Sequence, residues 1–114
     1  MTRRRNTRHR VLRILLLSKL DEIDAGDVAR ILCMSPSTLR RHLKAEHTSY
    51  QKLLDRVRLY RLEKVLARRW LPGKCVADVL GYTQTNSFYR AFGKWTGMTY
   101  TEYKKQRQRA AAPP

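Results

Sequence analysis

Two stretches of this chain repeat one another. Ala29-x-Ile31-Leu32-Cys33 matches Ala77-x-Val79-Leu80-Gly81 at an offset of 48 residues. After one extra residue in the second copy, Leu39-Arg40-Arg41-His42-Leu43 matches Phe88-Tyr89-Arg90-Ala91-Phe92 at an offset of 49. Each copy reads as a short helix, a tight turn and a second helix carrying two apolar residues four apart. A fold that holds both copies within 114 residues is one domain or two small lobes on a short connection.

The segments around the repeat are helical too. Val11, Leu12, Leu15, Leu16 and Leu20 recur at helical spacing and predict a first helix. Asp24 is placed to cap a second, short helix with Val28, Ile31 and Leu32 on its buried side. After a break at Cys33-Met34, Ser35-Pro36 restarts the chain as a third helix, with an oxygen at the cap and proline in the first turn. Thr48-Ser49-Tyr50-Gln51 reads as a capping box for a long fourth helix that runs to about Arg69 and is stopped by Pro72-Gly73. A fifth helix is expected over Cys75–Leu80, ended by Gly81. A sixth is expected from about Thr85 to Trp95, closed by Gly97 in the left-handed conformation. Thr99-x-x-Glu102 opens a last helix. No segment alternates polar and apolar residues long enough for a strand, so the predicted class is all-α, with seven helices.

A bracing helix, a turn and a second helix, present twice, make the pattern of a helix-turn-helix, in which the first helix holds the second toward a DNA major groove. The charge agrees. Lys and Arg number 25 against nine acids, a net +16 that calls for nucleic acid, an anionic membrane or an acidic partner. The fourth helix, at about 20 residues, spans about 30 Å, close to the roughly 34 Å between successive major-groove faces. A membrane role is not expected: no run reaches the roughly 18 apolar residues of a spanning helix, and Arg13 interrupts the only segment resembling a signal peptide. A cytoplasmic, nucleoid-associated protein is the expectation.

Catalysis is not expected. His9, His42 and His47 lack neighbouring partners in any nucleophile or acid–base motif, and no glycine-rich phosphate loop is present. Cys33 and Cys75 form neither a disulfide framework nor, with the histidines, a metal site of standard spacing. Neither a cofactor, a metal nor a small-molecule ligand is expected. The competing class is a basic architectural protein that binds DNA without sequence preference, because such a charge by itself confers affinity for any duplex.

One stretch is more specific. Gly81-Tyr82, Asn86-x-Phe88-x-Arg90-x-Phe92, Gly97-Met98-Thr99 and Glu102-x-x-Lys105 resemble the second motif in the DNA-binding domain of AraC/XylS-type bacterial transcription regulators. With Ala29–Glu46 the resemblance runs from about Asp24 to Lys105. It implies two helix-turn-helix units joined by the long helix, promoter DNA as partner, RNA polymerase as a second contact, and work as an activator or a repressor, with activator the favoured role. The resemblance also places base-facing residues at Ser37, Arg40 and Arg41 in the first unit and at Thr85, Asn86, Tyr89 and Arg90 in the second. Arg40 and Arg41 lie opposite Leu39 and Leu43 on the outer face of the third helix, and Lys44 adds charge there. Capping competes with DNA contact at Thr85 and Asn86, and half-buried packing competes at Tyr89.

Three positions depart from that family. Cys33 stands at the turn where glycine is usual, His47 replaces the glycine that ends the third helix, and Tyr100 replaces proline before the last helix. If the backbone at Cys33 or His47 is left-handed, each side chain costs on the order of 1 kcal/mol. The expected division is a basic flexible arm over 1–10, a first subdomain over 11–47, the connecting helix over 48–70, a second subdomain over 71–109 and a disordered tail over 110–114. Asp21, Glu22, Asp24 and Asp27 form an acidic patch; it complements the start of the second helix and is the candidate polymerase-facing surface.

Overall fold

The computed structural model describes residues 6–111. Among them the chain forms seven helices and no strand: α1 (Thr7–Leu16), α2 (Ala25–Ile31), α3 (Pro36–Ala45), α4 (Tyr50–Arg68), α5 (Gly73–Leu80), α6 (Thr85–Thr96) and α7 (Tyr100–Ala111). No helix among the described residues is long and apolar enough to cross a membrane. The chain divides into two compact units, and the division falls inside α4, between Arg61 and Leu62.

The first unit closes around Val11, Leu15, Leu20, Val28, Ala29, Leu39, Leu43, Leu53 and Val57. Both α1 and α2 pack on α3. Asp24 caps α2 in a complete capping box, accepting from the Asp27 N–H at 2.9 Å while Asp27 accepts from the Asp24 N–H at 3.0 Å. These bonds, the backbone N–H of Asp24 foremost, hold the Asp27 carboxyl below its usual range. Ser35 caps α3 through the Thr38 N–H at 3.1 Å, with Pro36 in the first turn. The α2 face differs from expectation. Ile31 is 58% exposed and Ala29 takes the core position, because the helix must lay its small residue against α3.

Residues 7–10 of the expected arm are helical; Arg3, Arg4 and Arg5 lie outside the described residues. The reason is tertiary. Asn6 gives no side-chain cap, and instead the Glu46 carboxylate, at the end of α3, accepts the Thr7 N–H at 3.2 Å and the Arg8 N–H at 3.0 Å. At the other end, one guanidinium nitrogen of Arg61 donates to the carbonyls of Leu15, Leu16 and Ser18 at 3.1, 3.1 and 2.8 Å. A negative group at the start and a positive one at the finish complement the helix dipole. Burial pulls the Arg61 pKa below its ordinary value, yet the guanidinium remains charged.

The second unit closes around Leu62, Leu66, Val76, Ala77, Leu80, Phe88, Phe92 and Tyr100, with α6 packed against α5 and α7. Tyr100, where the resembled family usually carries proline, is a core side chain. It meets Phe88 and Phe92 edge-on at 5.5 and 5.4 Å between ring centroids and donates its hydroxyl to Leu71 O at 2.6 Å. Burial is the main reason its pKa is pushed up to about 12. α7 then runs through Ala111, so residues 110 and 111 of the expected tail are helical; residues 112–114 lie outside the described residues.

The repeat extends past the paired helices. Ser49 accepts the Lys52 N–H at 3.2 Å to open α4, and Thr99 accepts the Glu102 N–H at 3.1 Å to open α7. Glu102 returns the bond to the Thr99 N–H at 2.9 Å, completing the expected box. The expected box from Thr48 to Gln51 does not form. The Thr48 N–H is already committed to Leu43 O at 2.9 Å, and Gln51 bonds Asp55 instead.

Left-handed residues end α2, α3, α5 and α6. Cys33, His47, Gly81 and Gly97 have φ of 58°, 62°, 85° and 73°. The condition for strain at Cys33 and His47 is therefore met. The cost of a Cβ in this conformation is partly offset because a side chain restricts the unfolded chain. Replacing both residues by glycine should gain about 1 kcal/mol, read as a rise of roughly 4–8 °C in melting temperature. Tyr100→Phe should cost about 1 kcal/mol below pH 10 through loss of the Leu71 bond. Because the folded pKa is the higher one, that advantage of the native residue is full below the ordinary tyrosine value. It disappears as pH rises toward about 12, as chemical denaturation across that range would show. Tyr50, whose buried hydroxyl has no hydrogen-bond partner among the described residues, is the control: Tyr50→Phe should be neutral or stabilising.

Candidate nucleic-acid interface

In the first unit the site begins with the turn. The Met34 N–H bonds Ala29 O at 2.8 Å and the Cys33 N–H bonds Arg30 O at 3.0 Å, satisfying the last carbonyls of α2 and fixing the direction in which α3 leaves. Along α3, Leu39 and Leu43 are buried. Ser37, Arg40, Arg41 and Lys44 are all exposed, and their spacing of three, four and seven residues sets them on one stripe. Glu46, the acid nearest this stripe in sequence, is turned to the α1 amides. Arg40, Arg41 and Lys44 make the stripe cationic.

The second unit repeats the construction. The Tyr82 N–H bonds Ala77 O at 2.9 Å and the Gly81 N–H bonds Asp78 O at 3.1 Å. Phe88 and Phe92 are fully buried beneath α6, so the stripe opposite them holds Asn86 and Arg90, both exposed, with Thr85 half-exposed at its start. The cap position belongs to Gln84, which makes no side-chain cap bond. Capping thus leaves Thr85 and Asn86 uncommitted.

Tyr89 divides its surface between packing and solvent. Its ring lies 5.5 Å from that of Phe88 and 6.1 Å from that of Tyr100, and the residue remains 42% exposed. Its phenol also fills the space a Cβ at Gly73 would need, since such an atom would come within 2.6 Å of Cζ. The contact explains why residue 73 is glycine; α5 starts there, two residues before the predicted Cys75, because the Pro72 carbonyl accepts the Cys75 and Val76 N–H groups at 3.0 and 3.1 Å.

Sequence reasoning missed three residues, two that hold α1 and one that touches Arg41. Arg61 and Glu46 act on α1 across 38 to 46 residues of chain, and no local pattern announces such contacts. Thr38, whose Oγ1 accepts from Arg41 Nη2 at 3.3 Å, was legible: it stands three residues before Arg41, one helical turn away. The two cysteines are free and exposed.

Two turn-led helices, each offering a polar stripe above a buried apolar pair, define a double helix-turn-helix protein. Residues 28–106 match a family model described as a helix-turn-helix domain. The chain is 40% identical over 96 residues to the ornithine utilization regulator of Pseudomonas aeruginosa, an alignment covering 84% of this chain and 28% of that protein. Among solved structures, a DNA-binding transcriptional dual regulator from Escherichia coli K-12 superposes with a TM-score of 0.79 at 34% identity, over 89% of this chain and 91% of the other. The transcriptional regulator CdpR of Pseudomonas aeruginosa superposes with a TM-score of 0.80 at 36% identity, over 87% of this chain and 31% of CdpR. The chain belongs to the AraC-type helix-turn-helix family of DNA-binding transcription regulators. It spans about a quarter to a third of the length of the curated relatives it matches.

Proposed function

We propose that this chain reads sequence in double-stranded promoter DNA, with α3 and α6 entering adjacent major-groove segments. Ser37, Arg40, Arg41 and Lys44 face the DNA from the first unit, and Thr85, Asn86, Tyr89 and Arg90 from the second. One observation carries this reading: in both units a helix set by a left-handed turn buries two apolar residues and leaves a polar or cationic stripe exposed. An exposed arginine can donate twice to guanine O6 and N7, and asparagine can bond both edge atoms of adenine. Lys44 and the overall +16 supply backbone affinity, which is insensitive to sequence and weakens with salt. The family of regulators to which the chain belongs favours sequence reading over a purely architectural role.

Selection from a random duplex library at near-physiological salt tests this. Two preferred blocks about one helical turn apart are expected. Arg41→Ala should erase preference at one base position of one block, at a cost of about 1–3 kcal/mol. Arg90→Ala should act on the other block. Tight binding with no enriched sequence would leave the architectural alternative standing.

Regulation as an activator, with the protein drawn to the nucleoid, places the polymerase-facing surface at Asp21 and Glu22. Both are exposed; within the acidic patch Asp24 and Asp27 are tied into the capping box, while Glu22 has only an exposed ion pair with Lys19 at 3.7 Å. Reversing the charges of Asp21 and Glu22 should leave the dissociation constant for the selected site unchanged while lowering transcription from a promoter carrying it. Equal transcription would remove these two residues from that role.

A further inference from the structure

We infer that Thr38 is a positioning residue for base reading, holding the Arg41 guanidinium against the first turn of α3 so that the rest of its fork faces outward. The inference rests on the reading of Arg41 proposed above. Arg41 Nη2 donates to Thr38 Oγ1 at 3.3 Å. Ser35 Oγ donates to the same oxygen at 2.9 Å, and the Thr38 N–H donates back to Ser35 Oγ at 3.1 Å. Both acceptor lone pairs of the Thr38 hydroxyl are thereby used, one by the helix cap and one by the arginine. The chain of bonds runs from the cap to the guanidinium.

Three features make this an anchor. Threonine is branched at Cβ, so its hydroxyl has few rotamers to wander through. Ser35 sits at the cap of α3, where its oxygen is held by a backbone N–H. Arginine has five N–H donors, and one bond to Thr38 leaves a pair of them for a two-point contact with a base edge. A long side chain already confined to one arrangement loses less rotamer freedom when it binds, and the saving appears as affinity for the matched base. In the second unit the equivalent residue three before Arg90 is Ser87, whose hydroxyl lacks the branching methyl. Arg90 has a less restricted neighbour.

The test runs the same random-duplex selection on the whole chain with Arg41→Ala, Thr38→Val, Thr38→Ser and the Thr38→Val, Arg41→Ala pair, alongside measured affinities for the preferred site and its single-base variants. Valine keeps the size and branching of threonine and removes the hydroxyl. Thr38→Val should lower discrimination by about threefold at the base position that Arg41→Ala erases, and nowhere else. Thr38→Ser should restore it, and Thr38→Val should add nothing once Arg41 is gone. The slope of affinity against salt should stay that of the native protein, since no phosphate contact is lost. If Arg41→Ala erases a preference that Thr38→Val leaves intact, the positioning role is overturned and Arg41 keeps its own. If Arg41→Ala changes no base preference, the reading of Arg41 falls and the role of Thr38 falls with it. A loss spread over both blocks, with a lowered melting temperature, overturns the inference in favour of a purely structural threonine.

Discussion

The backward bond from Met34 N–H to Ala29 O, and its counterpart from Tyr82 N–H to Ala77 O, fix what the rest of each unit can do. Each requires the preceding residue, Cys33 or Gly81, to turn left-handed. With that turn made, the buried alanine lets the two helices approach, and the next helix leaves in one direction only. Leu39 and Leu43, or Phe88 and Phe92, then go into the core. The exposed stripe is a consequence, since a helix that sinks one face must present the other. The same turn is built at a cost in the first unit and without it in the second, because one copy uses cysteine and the other glycine.

Around this repeated frame the two units solve their remaining problems differently. The first has an additional helix, α1, whose own sequence supplies neither a capping side chain at its start nor an acidic first turn. It is held by charges from elsewhere, Glu46 before it and Arg61 behind it. The second unit relies on aromatic packing, with Tyr100 touching both buried phenylalanines and tying its hydroxyl to the chain between α4 and α5. Glu63 adds polar contacts to Tyr103 and Arg107 on α7, at 3.3 and 3.5 Å. These are exposed and contribute little to stability.

α4 belongs to both units. Leu53 and Val57 enter one core and Leu62 and Leu66 the other, each pair at the four-residue step of a helix. Its apolar residues therefore serve two separate cores, and continuity of the helix comes from its backbone bonds and strong helix formers.

The seven helices, most of their ends and the buried pairs were legible in the sequence because they are set locally. Helical spacing, caps such as Asp24, Ser35 and Thr99, and glycine after α5 and α6 act within one or two turns of chain. So was the stripe of Ser37, Arg40, Arg41 and Lys44, which follows once Leu39 and Leu43 are inward. Other features needed the folded chain. The helical state of residues 7–10 depends on a carboxylate almost forty residues away. The exposure of Ile31 depends on which neighbour α2 meets, and the commitment of Tyr89 to Gly73, Phe88 and Tyr100 depends on α5, α6 and α7 closing together. Local rules decide where helices begin and end, since hydrogen bonds within a turn are satisfied there or left open. Which side chains anchor a terminus, fill a gap or stay in solvent is decided by packing, which brings together residues that no spacing in the sequence connects.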